Sequence, residues 1–132
     1  ARAPTAAAVD GEGSEEEEDV DIAACAYADS LVSYEVIQAE IDALNASSSR
    51  SAADDAKLDA LETRLALLTA EVSSGALTMG AYLAGLRKAI EADKTACRAA
   101  KAKGDSRGAL IALRRAKVMA NELAEAEAEA DV

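Results

Sequence analysis

Leu58, Leu61, Leu65, Leu68 and Val72 follow one another at spacings of 3, 4, 3 and 4 residues, the seam formed when two α-helices lie along each other. A strand cannot use that pattern, because it turns successive side chains to opposite faces. The helix that carries the seam is expected to start at Ser51, with Asp54 and Asp55 in its first turn where carboxylates favour the helix dipole. It should run to about Val72 and stop at Ser73, Ser74 and Gly75, the glycine taking a left-handed cap without a Cβ penalty.

A seam needs helices to meet. Ser33 is a good cap residue, and after it Tyr34, Ile37, Ile41 and Leu44 fall on one face within about 80°, leaving Val36 off that face. Asn45 to Ser51 reads as a connector. Thr78 caps a further helix whose Met79, Leu83, Leu86, Ile90 and Cys97 make a stripe about 60° wide. Gly104 should end it, with Asp105 or Ser106 capping a last helix that buries Ala109, Leu113, Ala116, Ala120 and Leu123.

With no Trp, no Phe and three Tyr, the core must be built from Leu, Ile, Val, Met and Ala, too little bulk to fill the space between packed sheets. The expected fold is therefore all-α: an antiparallel bundle of three to four helices with coiled-coil-like hairpins over residues 31–128. The seam helix is expected to pair with the helix capped by Thr78, and that one with the last. Residues 1–30 read as a disordered acidic tail, within which Val20 to Tyr27 could dock as a short helix, and residues 129–132 as a frayed C-terminus.

The net charge of −11 is unevenly spread. Residues 1–30 hold nine acids against Arg2, residues 87–117 hold ten bases against three acids, and residues 118–132 add five acids. Blocks of alternating sign suit self-pairing or a partner with complementary blocks. The basic block could neutralise phosphates, although stacking aromatics are missing and acidic segments compete for the same charges.

Several chemistries are excluded by composition. The chain has no His, so neither a nucleophile with an imidazole base nor a Cys and His metal cage can be assembled. The acidic run Glu15 to Asp19 lacks the ligand spacing of a rigid cation site, and no phosphate-cradling glycine pattern precedes a helix. No enzyme, metal or cofactor is expected. Cys25 and Cys97 are too few to staple a secreted domain and fit two free thiols in a reducing, cytoplasmic setting. Neither a membrane span nor a secretory signal is expected. Beginning at Ala1 rather than Met, the chain is expected to be a processed product or a segment of a longer protein.

On the last helix Arg107, Ile111, Arg114, Arg115 and Val118 occupy a sector about 100° wide opposite the expected core. A helix with apolar residues on two faces has two neighbours, so this second face is either covered by the helix after Ser33 or open to a partner. These five are the candidate partner-binding residues.

The stretch from Tyr82 to Lys117 carries a Tyr-Leu opening, a basic first helix, a Lys-Gly-Asp turn at Lys103 to Asp105, Ala109, and Leu-Arg-Arg-Ala-Lys at 113–117. It resembles the short helical-hairpin repeats of the coiled-coil and C2 domain-containing proteins. The resemblance covers about a quarter of the chain and one hairpin. It implies an adaptor element of the kind linked to filament-forming subunits of the endosomal membrane-remodelling machinery. On the same resemblance, Arg114, Arg115 and Lys117 form a basic face for an acidic helical partner.

These readings converge on a non-enzymatic scaffold or adaptor that binds a helical, acidic protein or itself. The alternative is a peripheral binder of nucleic acid or anionic membrane through residues 87–117.

Overall fold

The computed structural model describes residues 19–131, which are helical throughout apart from short connectors, with no strand among them. The helices are α1 (residues 19–30), α2 (Tyr34–Ala46), α3 (Ala52–Ser74), α4 (Met79–Ala102) and α5 (Ser106–Asp131). Residues 1–18, most of the segment read as an acidic tail, lie outside the described residues. Residues 19–30, grouped with that tail on composition, form α1, which starts ahead of Val20 and continues past Tyr27. At the other end α5 continues through Asp131, so residues 129–131 extend the last helix.

Each start from α2 to α5 is fixed by a short polar side chain that accepts from an amide left free in the first turn. Ser33 Oγ takes the Val36 N–H at 3.1 Å, and Thr78 Oγ1 takes that of Ala81 at 3.1 Å. At α3 the bond is reciprocal, Ser51 accepting from Asp54 N–H while Asp54 accepts from Ser51 N–H, a capping box. Asp105 holds α5 in the same way, its Oδ1 accepting from Gly108 N–H at 2.9 Å.

Two stops use positive φ. Gly75 has φ +80 and Gly104 has φ +77. At Gly104 the chain reverses: its own N–H donates to the Lys101 carbonyl at 3.0 Å and that of Asp105 to Ala100 at 2.8 Å. This is the double closure of a Schellman motif, and it separates α4 from α5.

The packing differs from the expected pairing. α3 lies against α2 rather than α4, α4 lies against α5 along most of its length, and α2 also touches α5, joining the two antiparallel hairpins. The reason lies in α2. Its apolar sector is broad and turned toward Val36, Ile37 and Ile41, all buried, so it faces α3 on one side and α5 on the other. Val36, left off the expected face, is therefore interior, whereas Tyr34 is exposed.

The main core joins Ala28 of α1 and Leu31 to Val36, Ile37 and Ile41 of α2, Leu58, Leu61 and Leu68 of α3, Leu86 and Ile90 of α4 and Met119 of α5. Leu65 lies at its edge, half-buried; Val72 is half-buried and Met79 is exposed.

A second, smaller core of Cys97, Ala109 and Ala112, edged by Ala100 and Leu113, is made by α4 and α5 alone. Here α5 is rotated from the expected face. Ala109, Ala112, Ala116 and Met119 are buried, Leu113 and Leu123 are half-buried, and Ala120 is exposed. Ala109, Ala112 and Ala116, spaced 3 and 4 apart, bring the helix axes close, which a Leu at these positions would prevent. Of the two thiols, Cys97 is buried, Cys25 is exposed, and both are free. No helix among the described residues is long and apolar enough to cross a membrane.

Candidate functional site

Arg107, Ile111 and Arg114 remain on the outer surface of α5, while Arg115 and Val118 turn inward. Val118 is half-buried and packs against the main core. The Arg115 guanidinium reaches Asp93 of α4 at 3.1 Å and stands beside the Tyr27 hydroxyl of α1. The second apolar face is thus divided between two uses. Its C-terminal part is covered by the fold, with α1 supplying a neighbour, and its N-terminal part is open.

The open part gains a residue that sequence reasoning left out. Leu110 is 45% exposed and Ile111 46%. Together with Arg107, Arg114, Lys117 and Asn121, all exposed, they cover a sector about 120° wide by the helical period. The signal for Leu110 was present only as its adjacency to Ile111. It falls between the two faces assigned to the helix, and only the rotation of α5 onto its alanines turns it outward.

This strip sits beside the α4–α5 turn, where bases dominate. Between Lys94 and Asn121 the chain has eight Lys and Arg and one acid, Asp105. Lys94 pairs with Glu91 and Arg115 with Asp93. Arg98, Lys101, Lys103, Arg107, Arg114 and Lys117 are exposed and form no ion pair with any acid among the described residues. Below them, Arg87 is tied to Glu127 at 2.8 Å, so the field of the hairpin weakens toward its open end.

Two part-buried polar networks tie the elements to one another. Ser33 Oγ donates to Glu122 Oε1 at 2.6 Å, Tyr82 donates its hydroxyl proton to Glu122 Oε2, and the Tyr34 N–H donates to the Tyr82 oxygen at 2.8 Å. In the second, the Tyr27 hydroxyl donates to Glu40, and Lys57 stands 3.6 Å from the Glu40 carboxylate and 4.4 Å from the centre of the Tyr27 ring. Burial, then the Glu40 carboxylate, pushes the Tyr27 phenol up to about 12. Burial, then Glu122, raises that of Tyr82 as well. Neither network was legible from periodicity, since each joins residues far apart in sequence.

A groove of about 330 Å³ runs between the α1–α2 connector and α4, floored by Val32, Val36, Ala89 and Ala92. Its Asp93 and Arg115 are engaged with each other. Among the described residues no group of His, Cys, Asp and Glu is arranged to hold a metal ion. No family model matches the chain, and comparison with curated proteins and with solved structures gives no match.

Proposed function

We propose that this chain is a non-enzymatic adaptor or scaffold module, acting in the cytoplasm, which binds a helical and acidic protein partner along the outer strip of α5. One observation carries the reading. Leu110 and Ile111, adjacent large aliphatics each nearly half exposed, lie among bases that form no ion pair among the described residues. Exposed aliphatics ringed by charge are what a partner helix covers, at roughly 25 cal/mol per Å² of apolar area removed from water. The ring of bases steers an acidic partner and sets its register. The implied contact residues are Arg107, Leu110, Ile111, Arg114 and Lys117, with Arg115 and Val118 holding α5 in place.

Replacing Leu110→Glu together with Ile111→Glu tests this. Both side chains are exposed, so the melting temperature should stay near that of the unmodified chain, while partners retained at physiological salt are lost. A variant that keeps the same partners would remove the strip from the interface.

The unpaired bases also support a second reading, a binder of nucleic acid or anionic membrane through residues 87–117. Salt separates the two. Phosphate binding falls by orders of magnitude between low and physiological salt, whereas an apolar helical contact weakens little.

A further inference from the structure

We infer that the chain's own acidic segment, residues 10–18, docks on the basic tip of the α4–α5 hairpin, at the turn between the two helices, and competes there with an acidic partner. The contact follows from charge and register alone. Its role as a brake on partner binding rests on the adaptor reading above.

The register comes from three observations. α1 runs antiparallel to α2, because only residues 31–33 separate them and Tyr27 reaches back to Glu40. α2 runs antiparallel to α5, since Ser33 at its start meets Glu122, whereas Tyr27, level with Glu40, meets Arg115 nearer the α5 start. α1 and α5 are therefore parallel, with Tyr27 level with Arg115. Counting back eight residues on each, about 12 Å at 1.5 Å per residue, puts residue 19 level with Arg107. The acidic segment thus joins the fold at the end of the molecule where the unpaired bases lie.

Charge supplies the attraction. Residues 10–18 contain Asp10, Glu12 and Glu15 to Glu18 and no base, and six unpaired bases lie between Arg98 and Lys117. Nine residues span up to about 30 Å, enough to cross a two-helix tip whose axes lie about 8–10 Å apart. Tethering holds the segment at an effective concentration of millimolar order. Attraction between exposed charges is screened over about 10 Å at 0.1 M salt, so the contact should hold at low salt and be released at high salt. The rest of the surface near α1 is a poorer host: Asp54, Asp55 and Asp59 stand on the adjacent start of α3, and Arg50 there is already tied to Asp55 at 2.8 Å.

The test is paramagnetic broadening in the full chain, with a nitroxide on Ser14→Cys and the exposed Cys25 replaced by Ala. At low salt the amide signals of Lys101 to Asp105 and of Arg107 to Arg114 should lose most of their intensity. They should recover in high salt, and in a chain carrying Lys101→Glu, Lys103→Glu and Arg107→Glu. Broadening confined to α1 and the start of α3, or tip broadening that survives those three changes, would overturn the inference. So would tip broadening that appears only when a spin-labelled chain is mixed with an isotope-labelled, unmodified one, since the host would then be a second copy. No partner is present in the experiment, so its failure leaves the adaptor reading to be judged by the Leu110→Glu, Ile111→Glu variant.

Discussion

Glu122 on α5 binds three elements with one carboxylate: it accepts from Ser33 at the head of α2 and from Tyr82 on α4, whose oxygen accepts from the Tyr34 N–H. Glu122→Ala leaves the Ser33 and Tyr82 donors without their acceptor, at a cost of about 1–3 kcal/mol for an unsatisfied buried group. Thermal or denaturant unfolding of the variant reads that loss directly, and full stability would show that water replaces the carboxylate. Alkaline pH probes the other network. The folded chain holds the Tyr27 phenol neutral, its value rising from 10.0 to about 12. The associated stability is complete below the ordinary phenol value and is lost as pH climbs from about 10 to about 12. The melting temperature should fall through that window, less steeply in Tyr27→Phe, and phenolate absorbance should follow unfolding. Ser33 was legible as a cap because its partner is three residues away. Its bond to Glu122 was not, because 89 residues separate the pair.

The elements were legible to the extent that they are local. Ser33, Ser51, Thr78, Gly75 and Gly104 mark boundaries through bonds within one turn, and the leucine seam sets a helix without reference to its neighbour. Which seam meets which depends on competition among all the faces. Leu58, Leu61 and Leu68 are buried against the rest of the core, while Leu65 sits at the edge. Leu68→Ala should therefore cost about 2–5 kcal/mol and Leu65→Ala clearly less. Equal losses in denaturant melts would mean that α3 is buried along its whole seam. α1 was legible only as the option of a short docked helix over Val20 to Tyr27, because it is a short alanine-rich stretch beside an acidic run; Ala24 and Ala28 are buried and Leu31 follows in the core. A chain starting at residue 31 should melt at a lower temperature than one starting at residue 19, because Tyr27 and Ala28 no longer cover α2. Identical melts would mean that α1 contributes nothing to the fold.

At the scale of the molecule, two hairpins meet through α2, and the α4–α5 pair keeps its own small alanine core at the end with the unpaired bases. The alternation of charge along the sequence anticipated that end. It could not anticipate that Arg115 would be drawn to Asp93 and Val118 to the main core, leaving Leu110 and Ile111 as the open apolar pair. The central claim is that this pair is a docking surface, and site-specific photo-cross-linking tests it most directly. A benzophenone amino acid at position 111 is compared in native cell extract with the same probe at the exposed Leu67 of α3. The predicted result is one dominant adduct at position 111, absent at position 67 and competed by excess unmodified chain but not by the Leu110→Glu, Ile111→Glu chain. An adduct of two chain masses would assign the strip to a second copy, and mass action would then raise the melting temperature with concentration. The same faint set of adducts at both positions, indifferent to competitor, would contradict the account.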